Sequence, residues 1–222
     1  MMYLLIIKCL FGLIFVTGAF GDRRCKENLK KMSIIPSFAK DIESTDLQVL
    51  YGKNEWVKCG EKIALKHVGT KPVVTFDVKG ECPYVTLLLF DPDSWLNPTF
   101  IHWLVHNIPA ETMAKGFYGE DGTVAADYFV PIIPNHDHRY TFFLYCQRKP
   151  IKVKKEMTPI QRLSFNTKKF ARKKKLGNPV AANFFALTTS GIKLPDKTSE
   201  DASKSESGGG FGLFSFIPTK RK

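Results

Sequence analysis

Residues 90–109, FDPDSWLNPTFIHWLVHNIP, place two acidic side chains and a histidine between two apolar segments. The apolar run YVTLLLF comes first and delivers Asp91 and Asp93 to its C-terminal end. Pro92 removes a backbone donor and fixes its own φ, so the strand is expected to stop there. A second apolar strand begins near His102. The stretch therefore predicts a small polar site at one edge of a rigid sheet. No P-loop, CxxC or HExxH motif competes with it.

The 222 residues divide into three predicted parts. Residues 1–21 are an apolar run interrupted by Lys8 and end in Ala-Phe-Gly, which is typical of a secretory signal peptide. The alternative is an uncleaved membrane anchor. Residues 22–192 are enough for one domain with its own core. Residues 193–222 are rich in Ser, Lys, Glu and Gly, a composition that predicts disorder. We therefore expect a secreted, extracellular protein.

Loss of the signal peptide removes Cys9 and leaves four cysteines, Cys25, Cys59, Cys82 and Cys146. An even number in an exported chain indicates two disulfides, and sequence alone leaves three connectivities open. The alternative is free or metal-binding thiols, although the spacing resembles no zinc motif.

The positive charge of the chain is concentrated in one segment. The whole sequence has a net charge of +12, and residues 148–175 contain twelve Lys or Arg and one acid, Glu156, a net +11. Such a patch suits an anionic membrane surface or a sulfated glycan, and the alternative is a solvated face. Lys168, Arg172 and Lys175 are spaced to share one face of a helix. Nucleic acid is not expected as a partner, because no aromatic residues alternate with the charges.

Apolar runs and breaking residues predict the other elements. Residues 128–137 hold two prolines and are expected to form a loop over the site. A short helix is expected after Cys25. Residues 166–176 are expected to form a second helix, with Asn166 as its N-cap and Gly177 just past its end. The predicted strands are residues 47–51, 71–78, 84–90, 101–108 and 139–147.

Four motifs resemble the phosphatidylethanolamine-binding protein (PEBP) family: DPD at Asp91, HWLVHNIP at His102, HRY at His138 and LGNPVAANFF at Leu176. They cover about residues 73–185, and with the signal peptide and cysteines they look most like the family's secreted branch. The resemblance implies a mainly β fold with a large central antiparallel sheet, a smaller flanking sheet and a few peripheral helices. It also implies an anion pocket at the end of the sheet, with no cofactor, no metal and no catalytic turnover.

Carried over to this sequence, the family pocket places Asp91, His102, His138 and Tyr140 around the phosphate or carboxylate of a ligand such as a phospholipid headgroup. Imidazole N–H and phenol O–H groups donate to an anion. Asp91 can accept from a ring nitrogen and fix which tautomer faces the ligand.

Three more residues are expected at the rim of this pocket: Asp93, Trp95 and Pro131. Trp95 stands where the family usually has proline. Residues 130–135, VPIIPN, replace a glycine-containing wall with bulkier side chains, which is expected to narrow the mouth. No C-terminal helix is predicted after Phe185.

Two expectations depend on this pocket. If Asp91 and His138 meet, their strands are antiparallel neighbours, and a register that pairs them brings Cys82 almost opposite Cys146, within disulfide reach. The other two cysteines would then pair with each other. Asp91 is also expected to raise the pKa of both His102 and His138 above about 6.5, so that anion affinity falls as pH rises.

Three functions from different classes are compatible with these features. We favour a secreted, non-catalytic protein that binds phospholipid headgroups or related small anions. The second is a secreted interaction module that inhibits a protease or a signalling pathway through the pocket-rim loops. The third is a metal-dependent hydrolase, which lacks an obvious activated nucleophile and would use Asp91, His102, His106 and His138.

Overall fold

Two β-sheets and four short helices make up the part of the chain that the computed structural model describes, which is residues 23–94, 99–131, 137–153, 156–163 and 165–188. The predicted signal peptide and disordered tail lie outside these residues. The helices are α1 (residues 23–31), α2 (Ala110–Lys115), α3 (Pro159–Arg162) and α4 (Thr167–Lys174), and Leu65–His67 is a 3-10 turn. The strands are β1 (Gln48–Tyr51), β2 (Glu55–Trp56), β3 (Lys62–Ala64), β4 (Val73–Thr75), β5 (Tyr84–Asp91), β6 (Phe100–Pro109), β7 (Thr123–Ala126), β8 (His138–Gln147) and β9 (Ala181–Thr188).

The larger sheet has six strands in the order β3-β9-β8-β5-β6-β7. Its neighbouring strands are antiparallel, except that β3 and β9 are parallel at one edge. The smaller sheet has the order β2-β1-β4 and is antiparallel. This mainly β architecture, with one large sheet, one smaller sheet and a few helices, confirms the predicted fold class.

The middle strands of the large sheet are covered on both faces. On one face the two sheets enclose a core that includes Trp103 and Phe185. On the other face, the helices contribute Leu29 of α1 and Ala171 of α4 to a second core. Burial on both faces explains why β5 and β8 are continuous apolar runs rather than alternating ones.

All five predicted strands are present, and β5 ends at Asp91, directly before Pro92. The predicted strand at residues 71–78 is shorter than expected. Asn166 caps α4 as predicted, because its side chain accepts a hydrogen bond from the Lys169 N–H at 2.8 Å. The prediction that Lys175 shares a helix face was wrong: α4 ends at Lys174, and Lys175 has the left-handed φ of 56°.

The sequence-based assignment missed β2, β3, α2, β7, α3 and β9. The omission of β9 matters most, because it lies between β3 and β8 in the large sheet. The first residues of β9, Ala181 to Phe185, belong to the LGNPVAANFF motif. The short edge strands have too few residues to show a period of two.

Two disulfides join Cys25 to Cys59 and Cys82 to Cys146, with Cα–Cα distances of 5.4 and 5.5 Å. β5 and β8 are antiparallel neighbours, as expected from the pocket. The register differs from the one assumed, because Phe90 lies opposite Thr141, and Cys146 pairs with Val85 rather than facing Cys82. Cys82 lies two residues before Tyr84, where β5 begins, and from that position it forms the disulfide with Cys146.

Candidate functional site

The predicted site residues converge at one end of the large sheet. β5 ends there with Asp91, whereas β6 and β8, which flank β5 in the opposite direction, begin there. Their first residues supply His102, His138 and Tyr140. Three adjacent strands therefore bring together side chains that are up to 49 positions apart in sequence.

Asp91 and His138 form a buried pair in which Oδ2 and Nδ1 are 2.7 Å apart. Only 4% of Asp91 and 2% of His138 is exposed. The second carboxylate oxygen accepts the Asp93 backbone N–H at 2.7 Å, which fixes the orientation of Asp91. The hydrogen bond with Asp91 raises the pKa of His138, against the opposing effect of burial. The contact with Asp91 therefore favours the charged form of His138.

His102 is in a different state. Its Nδ1 lies 2.9 Å from the Phe129 carbonyl oxygen. Because a carbonyl can only accept, Nδ1 carries the proton in the neutral ring. Burial lowers the pKa of His102 to about 4, although the Asp91 charge and the hydrogen bond act in the opposite direction. The expectation that Asp91 raises both histidine pKa values was therefore wrong for His102, because desolvation outweighs charge there.

Tyr140 lies between the two histidines and is fully buried. Its ring stacks on Phe185 at 5.3 Å and meets His102 edge-on at 5.1 Å between centroids. Burial and the charge of Asp91 raise the pKa of Tyr140. The hydroxyl is therefore protonated at physiological pH and can donate to an anion.

An ion pair between Asp93 and Arg139 forms the rim of the site. Arg139 donates from Nε to Oδ2 at 2.8 Å and from Nη2 to Oδ1 at 2.5 Å, a bidentate arrangement. Burial opposes ionisation of Asp93, but the hydrogen bonds from Arg139 hold the pKa of Asp93 below its usual range. Arg139 also donates to the Met32 carbonyl, so the segment after α1 is attached to the rim. A cleft of about 390 Å³ lies beside this pair.

Sequence reasoning missed Arg139 as a structural part of the rim, although the residue lies inside a motif that it used. It also missed Arg162, which donates to the Asp127 and His102 carbonyls at 2.8 and 3.3 Å. Neither contact leaves a local sequence signal, since each acceptor is a backbone group or a residue distant in sequence.

Two of the three predicted rim residues can be placed. Asp93 lines the cleft, Pro131 is a buried residue of the loop after β7, and Trp95 lies outside the described residues. His106 is buried near the other end of β6. Within the described ranges, no three His, Cys, Asp or Glu side chains are grouped so that they could hold a metal ion. No described helix is long and apolar enough to cross a bilayer.

Comparisons with known proteins agree with this architecture. Residues 53–190 match the family described as phosphatidylethanolamine-binding protein. A 26 kDa secreted antigen of Toxocara canis is 30% identical over 164 residues, which are 68% of this chain and 60% of the antigen. This chain thus spans less than two thirds of that relative.

Two solved structures are similar in fold. A carboxypeptidase Y inhibitor, complexed with its cognate proteinase, has a TM-score of 0.61 at 21% identity, covering 76% of this chain and 96% of the inhibitor. A phosphatidylethanolamine-binding protein of Plasmodium vivax has a TM-score of 0.61 at 20% identity, covering 72% and 95%. Fold, motif order and the matched residues together show that the chain belongs to the phosphatidylethanolamine-binding protein family.

Proposed function

We propose that this protein is a secreted, non-catalytic binding protein that holds a small anion, such as a phospholipid headgroup, at Asp91, His102, His138 and Tyr140. The observation that carries the proposal is the buried Asp91–His138 pair, 2.7 Å between Oδ2 and Nδ1, placed beside the buried Tyr140 hydroxyl as a further donor.

The chemistry of Asp91, His138 and Tyr140 supports an anionic ligand, whereas neutral His102 lines the site and gives its one proton to the Phe129 carbonyl. His138 with its raised pKa supplies charge, and the Tyr140 hydroxyl supplies a neutral donor. Asp91 orients His138 and is itself held by the Asp93 N–H. A phosphate or carboxylate oxygen bound by an imidazolium and a phenol in a low-dielectric site gains more than it would in water.

Access to the site requires movement. None of the four residues is more than 4% exposed. An anion therefore reaches them only after the surrounding chain shifts. Binding coupled to such a shift has a lower apparent affinity than binding to an open pocket.

Calorimetric titration of phosphorylethanolamine into the full chain tests the proposal. Affinity should be higher at about pH 5.5 than at about pH 8, because His138 is protonated at the lower pH. His138→Gln should bind more weakly at both pH values and lose the pH dependence. His67→Gln, a matched change at a half-exposed histidine of the 3-10 turn, should behave like wild type. Equal affinities of all three proteins at both pH values would refute the proposed site.

A second candidate function is protease inhibition through the rim. The cleft is lined by residues of opposite charge, including the Lys62–Asp137 ion pair at 2.5 Å, and it lies on the surface that a partner could reach. The inhibitor of similar fold makes the class reasonable to test. Residual carboxypeptidase activity would be measured with wild type and with Lys62→Ala. A loss of inhibition in the variant, with headgroup binding unchanged, would favour this alternative.

The proposed extracellular location is supported by the two disulfides and by the secreted relative. Expression of the full chain in eukaryotic cells should release a protein whose N-terminal sequence begins at Asp22. Retention in the membrane fraction with residue 1 intact would instead favour the anchor.

A further inference from the structure

A second groove lies at the opposite end of the large sheet, beside the Cys82–Cys146 disulfide. β8 reaches this end with Gln147, which pairs with Tyr84 at the start of β5. Because β5 has eight residues, roughly 25 Å of sheet separates the groove from Asp91. The groove has a volume of about 530 Å³ and shares no lining residue with the site described above.

The charge of this groove is strongly positive. Two acids, Glu43 and Glu81, face five basic side chains: Lys79, Arg148, Lys149, Lys174 and Lys175. Lys79 has an acidic partner, Asp77 at 3.5 Å. In the described part of the chain, the exposed Arg148, Lys149 and Lys175 have no ion pair. Like charges held together without counterions repel one another, and an anionic ligand would relieve that repulsion.

The backbone at the end of α4 supports a role for Lys175. Its left-handed conformation, φ 56° and ψ 40°, is one that glycine usually occupies after a helix. A lysine there has a steric cost that glycine avoids. Lys175 lines the groove beside Lys174.

We propose that this groove binds a sulfated glycan chain. Its basic side chains come from three separate segments of sequence, around Lys79, Arg148 and Lys174, so they can bind successive sulfate groups along a chain. Glu43 and Glu81 can accept hydrogen bonds from sugar hydroxyls.

The shape and composition of the groove favour a glycan chain over a membrane surface as its ligand. A flat bilayer cannot enter a groove. The large side chains that are exposed among the described residues are Met32, Trp56, Tyr118 and Ile160, and none of them lines it. The groove therefore lacks the apolar anchor that stable membrane attachment uses. It also lacks an aromatic platform for nucleic-acid bases.

The test compares two triple variants of equal charge. The groove triple is Arg148→Gln, Lys149→Gln and Lys175→Gln. The control triple, on the exposed surface of α4, is Arg172→Gln, Lys168→Gln and Lys169→Gln. Both remove one arginine and two lysines. The probe is a heparin oligosaccharide, with desulfated heparin and vesicles of phosphatidylcholine and phosphatidylserine as the other arms.

We expect the groove triple to weaken heparin binding about tenfold or more, and the control triple to weaken it less than about threefold. Wild-type binding should fall steeply with added salt, because screening shortens the reach of exposed charges. Desulfated heparin should not bind. Phosphorylethanolamine binding should be the same in both triples and in wild type, which separates this proposal from that for the Asp91 site.

Three results would overturn the proposal. Equal losses in the two triples would mean that only net charge matters. A loss restricted to vesicle binding would identify a membrane surface instead. Binding of desulfated heparin would exclude sulfate recognition. The Lys175→Gly variant controls for loss of binding through misfolding, because it removes the charge while favouring the left-handed conformation. This variant should melt no lower than wild type and should still elute from heparin at lower salt than wild type.

Discussion

We expect the His102→Phe variant to be less stable than wild type near neutral pH and more stable than wild type in acid. Phenylalanine keeps an aromatic ring against Phe100 and Tyr140, whose centroids lie 4.7 and 5.1 Å from that of His102. It loses the hydrogen bond to the Phe129 carbonyl, which is worth about 1 kcal/mol. Near pH 7.5, where the His102 ring is neutral in both folded and unfolded chains, the variant should be less stable by that amount.

The sign changes in acid because the pKa of His102 falls from its ordinary 6.5 to about 4 on folding. A base with a lowered folded pKa contributes stability above its unfolded pKa and loses it as pH falls. With these two values, the contribution of His102 drops by roughly 2 kcal/mol between about pH 7.5 and about pH 5. The variant should therefore be the more stable protein at pH 5, by about 1 kcal/mol, with the two curves crossing near about pH 6.

Urea unfolding followed by tryptophan fluorescence, with the disulfides intact, measures this difference. His138 and the carboxylates titrate in both proteins, so their contributions largely cancel in the comparison. A stability difference that stays constant from pH 7.5 to 5 would show that His102 is not desolvated as the structure indicates, and would refute the reasoning.

Three further changes test the fold. Replacing Cys82 and Cys146 by alanine opens a loop with a sequence separation of 64 and should lower the free energy of unfolding by about 4 kcal/mol, measured in urea. Lys175→Gly should raise that free energy by about 0.5–1 kcal/mol, because glycine adopts φ 56° without steric cost; a lower melting temperature would contradict this. Gly122→Ala should cost about 1–3 kcal/mol, since its Cβ would lie 2.8 Å from Val105 Cγ1, and an unchanged melting temperature would show that the side chain yields freely.

The sequence predicted the middle of the large sheet well because burial on both faces leaves a continuous apolar signal. β5, β6 and β8 are all of this kind, and Pro92 marks where β5 stops. β4 and the edge strands are short and partly exposed, so their residues carry little periodic signal. Their positions are fixed by pairing with distant strands, which sequence spacing does not reveal.

The grouping of the site residues could be predicted from motif order, but their protonation states could not. Asp91 lies beside both rings, yet only His138 is close enough to make a hydrogen bond with it. His102 forms a hydrogen bond with the Phe129 carbonyl instead, and desolvation is the largest influence on the pKa of His102. Whether desolvation or the interaction with Asp91 has the larger effect on a histidine pKa depends on distances of a few ångströms. These distances arise from packing rather than from local sequence.

The attachment of α1 to the rim affects how the protein opens locally. A helix of nine residues is too short to be stable on its own, so its order depends on what holds it. Here Cys25 is bonded to Cys59, Asn28 donates to the Cys59 carbonyl, and Arg139 donates to the Met32 carbonyl. Breaking these contacts should release α1 as a unit before the sheet unfolds. Amide hydrogen exchange should then quicken together in α1 and at Arg139, whose own N–H is bonded to Asp93.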